Sequence, residues 1–146
     1  MWRKFLDKYE QEKIQPLTES DIHGHLFSLC LEQLKSEGFE TPYKVHMNWR
    51  VFSARKKSDI VLGDKEIVVE VKFEPDYPGV SKPVTFRELV EEDLERISNY
   101  KKRGIPHTHF VMIDEDGFHM RNPRIPHKWQ TMTVRGKQAY VLHVEH

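Results

Sequence analysis

From Ile22 onward, apolar residues recur at helical spacing: Ile22, Leu26 and Leu29 in one row, Phe27, Cys30 and Leu34 in the next. Thr18 can cap this helix, with Asp21 as its reciprocal partner, and Gly38 stops it. A short polar helix over residues 2–14 precedes it and ends at Pro16. The period then changes. Residues 43–52 are rich in aromatic and β-branched types and predict a strand; residues 58–62 and 66–73 predict two more. Gly63-Asp64-Lys65 is turn chemistry, so the last two strands predict a hairpin. Pro75, Pro78, Gly79 and Pro83 make an extended loop. Residues 85–103 predict a helix with Leu89, Leu94, Ile97 and Tyr100 as apolar positions, ended by Gly104 and Pro106. Residues 109–113 predict a strand, and residues 131–144, around Arg135-Gly136-Lys137, a final hairpin. This order predicts an α/β protein with a mixed central sheet covered by helices.

Composition adds limits. At 146 residues and 38% hydrophobic, the chain suits one domain, with a core over residues 18–114 and a C-terminal β extension over 118–146. No stretch approaches the ~20 apolar residues of a membrane span, so no membrane partner is expected. Met1 to Lys8 has no apolar run of the signal-peptide kind, and Cys30 is a lone cysteine. Together these point to a cytoplasmic location. Net charge is +0, but its distribution is uneven. Residues 41–58 hold no acid yet carry Lys44, Arg50, Arg55, Lys56 and Lys57, and residues 118–144 are likewise acid-free. Such segregation can give a neutral protein one basic face. The nine histidines and one cysteine show no clustered zinc spacing, so no dedicated zinc site is expected.

Chemistry concentrates on the predicted hairpin. Within 66–73, Ile67, Val69, Val71 and Phe73 share the face that belongs to the core, and Glu70 and Lys72 are neighbours on the other. A two-residue loop places Asp59 diagonal to Glu70, and a four-residue loop places it directly opposite. A three-residue loop without a bulge would separate them. Converging carboxylates repel unless a cation sits between them. Mg²⁺ or Mn²⁺ takes such oxygen ligands, and the Val71 carbonyl could add another. Lys72 would then reach an attacking water or a phosphate. The plainer alternative is a surface hairpin in which Lys72 forms a salt bridge with Glu70 or Asp59.

Asp59, then Glu70-Val71-Lys72 eleven residues on, followed by a helix and a strand, resembles the PD-(D/E)XK nucleases. That superfamily includes type II restriction enzymes and archaeal Holliday-junction resolvases. Ser58 stands where the family pattern has proline. The resemblance spans residues 18–114 and implies a restriction-endonuclease-like αβββαβ core. It implies a metal-dependent phosphodiesterase acting on nucleic acid, DNA foremost, with Mg²⁺ or Mn²⁺ held by Asp59, Glu70 and Val71. Glu19, three and four residues before Ile22 and His23, corresponds to the early-helix acid that supports the metal. Lys72 would orient the water or stabilise developing charge. Arg55, Lys56, Lys57 and Arg96 are candidates for nucleic-acid contact, Arg96 having the competing role of pairing with Glu92 and Asp93. A homodimer would suit the cutting of two strands. A non-catalytic module on the same fold, binding nucleic acid or protein, is the alternative.

Overall fold

The computed structural model describes residues 1–39, 44–52, 56–79, 83–125 and 128–146. Helices α1 (Trp2–Glu10) and α2 (Glu19–Ser36) lead into β1 (Val45–Trp49), β2 (Ser58–Leu62) and β3 (Ile67–Glu74). Helix α3 (Arg87–Lys102) then crosses to β4 (His107–Asp114), and β5 (Trp129–Val134) and β6 (Lys137–Glu145) close the chain. The strands form one six-stranded mixed sheet in the order β1-β2-β3-β4-β6-β5. Only β3 and β4, joined through α3, run parallel among the described pairs. No helix of the described residues is long and apolar enough to cross a membrane.

Local signals fix the boundaries. The Thr18–Asp21 capping box forms in full at the start of α2. Its two halves satisfy orphan backbone N–H groups, a contribution of ~1 kcal/mol. Helix α1 ends at Glu10, earlier than the sequence predicts, because nothing apolar follows Tyr9 until Ile14. Arg135 and Gly136, both at positive φ, form the two-residue turn between β5 and β6, where Val134 pairs with Lys137.

The central strands β3 and β4 are buried on both sides. Val69, Val71 and Phe73 pack with Val111, Ile113 and the α2 residues Ile22, Leu26 and Leu29. On the other side Val90 and Ile97 of α3 meet Phe110 and Met112, while Tyr100 meets Val61 and Val68. This corrects the expectation for β3. Its second face is not a half-exposed surface: Val68 and Glu70 are fully buried there. A strand covered on both faces is the usual fate of parallel pairing with a helical crossover. The inward stripe of α3 keeps Ile97 and Tyr100 as expected but differs in its first turn. Val90, Asp93, Ile97 and Tyr100 are buried, whereas Leu89 is 42% exposed.

Candidate metal centre

Leu62 pairs with Ile67, so the β2–β3 turn holds the four residues Gly63 to Glu66. Of the registers the sequence left open, this one faces Asp59 toward Glu70. The regular ladder stops short of that point. Ile60–Val69 is the last pair between β2 and β3, and on the other side Met47–Ile60 and Trp49–Ser58 bracket Asp59 without pairing it. Asn48, the β1 residue between those pairs, has φ 51°. The Asp59 carboxylate fills the gap: its Oδ2 accepts a hydrogen bond from the Val71 N–H at 2.7 Å. Asp59 is thereby anchored to the backbone of the strand that carries Glu70 and Lys72.

Both long helices reach this spot. Lys72 Nζ lies 2.9 Å from Asp93 Oδ2 of α3 and 3.4 Å from Glu19 Oε1 of α2. It also donates to the Val71 carbonyl at 2.9 Å. The alternative in which Lys72 pairs with Glu70 or Asp59 is therefore replaced by pairing with the two helix acids. The Val71 carbonyl, expected as a metal ligand, holds this ammonium instead. Arg96 grips Glu70 with both ends of its fork, Nε to Oε1 at 3.0 Å and Nη2 to Oε2 at 2.8 Å. The same Nη2 lies 2.7 Å from Asp93 Oδ1.

The expected site residues thus divide. Glu19, Asp59 and Lys72 converge as the sequence suggested. Glu70 joins them in space, but both its oxygens are engaged by Arg96. Among the described residues, ligand atoms of Glu19, His23 and Asp59 all lie within 4.8 Å of one another, a set with the donors for a metal ion. His23 Nε2 is 3.7 Å from Asp59 and 3.9 Å from Glu19, is buried, and has no hydrogen-bond partner. An orphaned imidazole nitrogen between two carboxylates fits a divalent cation, because a neutral imidazole and two carboxylates are ordinary ligands for one. Of the nucleic-acid candidates, Arg96 is committed to Glu70 and Asp93, and Lys56 pairs with Glu92. Lys57 is exposed, and Arg55 lies outside the described residues.

Sequence reasoning missed His23 and Asp93, and each left a signal. His23 is one turn beyond Glu19, so any inward view of Glu19 includes it. Asp93 interrupts the row Val90, Ile97, Tyr100, and an acid inside an apolar row is a buried acid needing a cation.

The charges do not balance. Four carboxylates (Glu19, Asp59, Glu70, Asp93) face two cations (Lys72, Arg96). Burial raises the Asp59 pKa to about 6 and that of Glu70 to about 7, with the Asp59 charge adding to the rise at Glu70. Burial likewise raises Glu19. It lowers His23 to about 4, helped by Lys72, so that ring is neutral near pH 7. For Lys72, burial works against the charged form, but Asp93, Glu19 and Asp59 more than reverse it and the pKa rises. The excess negative charge must be met by protons or by a bound cation.

A carboxyl group with a raised folded-state pKa stabilises the fold below its unfolded pKa and loses that contribution as pH climbs through the folded value. Asp59→Asn mimics the protonated acid, and its amide oxygen can still accept from Val71. In metal-free buffer the variant is therefore expected to gain Tm relative to wild type as pH rises from 4 to 7. Thermal melts at matched pH check this; a gap that stays constant or narrows would contradict it.

A comparison with family models, with curated proteins and with solved structures finds no match.

Proposed function

We propose that this chain is a metal-dependent nuclease of the PD-(D/E)XK kind, with a restriction-endonuclease-like core, hydrolysing phosphodiester bonds in DNA. The observation that carries the reading is the junction of β2, β3, α2 and α3. An acid on a leading helix, an aspartate, and a Glu-x-Lys strand meet there, and the group is two negative charges in excess. The order α2-β1-β2-β3-α3-β4 supports the same assignment. Glu19, Asp59 and His23 are the residues to hold Mg²⁺ or Mn²⁺, and the single imidazole donor favours Mn²⁺. When bound, the ion supplies a water acidified enough to attack phosphorus and a positive charge for the phosphoryl oxygens.

The chain's own groups have distinct tasks. Asp59, fixed by the Val71 N–H, presents its carboxylate in one orientation. Lys72 brings a buried ammonium to the mouth of the site, where it can face a scissile phosphate. Arg96 acts on the site through Glu70 and Asp93, holding both carboxylates still. Cutting both strands of a duplex with a domain this small calls for two copies, so the reading includes a homodimer on the substrate.

The test is nicking of supercoiled plasmid. Wild type is expected to nick with Mn²⁺ and to stop in EDTA, and Asp59→Asn is expected to be inactive with Mn²⁺. Cleavage that persists in EDTA or survives Asp59→Asn would overturn the proposal. Plasmid binding that ignores the metal, with no nicking, would make the chain a binding module.

A further inference from the structure

The opposite face of the sheet, on the strands beyond β3, carries a second group of ligand-type side chains, independent of the nuclease reading. Strands β4 and β6 are antiparallel, with His109 opposite Glu145 and Val111 opposite His143. His109, His143 and Glu145 therefore project from one face of one strand pair. In the parallel ladder His109 lies beside Val69, so it shares that residue's face and not the face of Glu70. His109 Nδ1 and His143 Nε2 are 3.1 Å apart, and the ligand atoms of all three residues fall within 4.8 Å of one another.

We propose that His109, His143 and Glu145 form a transition-metal site of the zinc class. With Zn–N bonds of ~2.0–2.1 Å and tetrahedral angles, two imidazole nitrogens on one ion stand ~3.3–3.4 Å apart. The observed pair would open by a few tenths of an ångström, and the two rings, whose centroids are 5.3 Å apart, would turn so that both lone pairs converge on the ion. Imidazole donors select zinc-like ions over Mg²⁺, and the carboxylate completes a three-ligand set with a fourth position open. Burial lowers the pKa of both rings, and the Glu145 charge opposes that fall at each. The two facing nitrogens lie within hydrogen-bond distance, and which ring donates depends on the tautomer.

The position has a structural purpose. His109 and His143 stand at the rim of a cavity of about 420 Å³ whose wall includes Trp2, Leu6, Leu26 and Cys30. Beyond them, His146 and Thr108 exchange their backbone hydrogen bonds at 3.0 and 3.2 Å. An ion here would tie side chains of β4 and β6 together beside that cavity, on two strands already paired through this point. Because His143 and Glu145 are exposed, the site is open to solvent ions.

Isothermal titration of the full chain with Zn²⁺ at pH 7.5 tests this, alongside Co²⁺ absorption as a report of tetrahedral geometry. His143→Ala and Glu145→Gln are each expected to weaken one Zn²⁺-binding event at least tenfold and to remove the tetrahedral Co²⁺ bands. His23→Ala is expected to leave that event intact. Both exposed positions tolerate substitution, and unchanged metal-free melting of His143→Ala confirms its fold. Zn²⁺ affinity and Co²⁺ bands that survive His143→Ala, or vanish wholly in His23→Ala, would overturn the proposal. Neither outcome bears on plasmid nicking.

Discussion

Lys72→Ala is expected to slow Mn²⁺-dependent cleavage about a hundredfold or more, the usual loss when a buried charge-stabilising donor leaves a reacting centre. The reason lies in its surroundings. The side chain is 12% exposed and touches Glu19, Asp93 and the Val71 carbonyl. Without it, Asp93 keeps Arg96, but Glu19 and Asp59 lose the nearest positive charge. The variant should therefore melt lower than wild type in EDTA and be rescued further by Mn²⁺, since the ion now replaces a missing charge as well. That pairing of results separates a positioned functional lysine from a merely structural one. Metal rescue together with undiminished cleavage would remove Lys72 from the chemistry.

Arg96→Ala carries the largest expected effect on stability. It leaves Glu70, which is 0% exposed, without the fork that holds both its oxygens. Breaking a buried ion pair from one side costs about 3–5 kcal/mol. The cost should depend on pH in a defined direction. Glu70 without Arg96 binds a proton more tightly, so at pH 5 it folds neutral and part of the loss is avoided. At pH 8 folding must either bury the bare charge or take up a proton from dilute solution, and the loss is greatest. Urea denaturation at the two pH values checks this, and an equal loss at both would show that Arg96 acts through packing alone. Arg96→Ala in combination with Glu70→Gln should recover much of the deficit at pH 8.

Much of this arrangement could be read from the chain. Each strand and helix left a local signal, in period, composition or turn chemistry, and the capping box placed the start of α2 to the residue. Asp59, Glu70 and Lys72 could be brought together because strand alternation is a short-range rule, whereas Glu19 joined them only through the family resemblance. What failed was long-range. The second face of β3 reads as polar from Glu70 and Lys72, and only the docking of α3 turns that face into interior. Once it is interior, Glu70 needs a cation of its own, and Arg96 is the group within reach. The local pairing of Arg96 with Asp93 was legible; its grip on Glu70 depended on how the helix lands. The His109–Glu145 adjacency was invisible for the same reason, since the two belong to strands joined by no short turn.

Asp59 has a further consequence for the backbone. The Val71 amide, at the middle of a strand buried on both faces, is satisfied by a side-chain oxygen where a main-chain carbonyl would normally stand. The strength of that bond follows the charge on Asp59, because an ionised acceptor holds an N–H more tightly than a neutral one. The amide is thus wired to the occupancy of the site. Whatever changes the charge on Asp59 therefore changes the hydrogen bond that holds the Val71 amide.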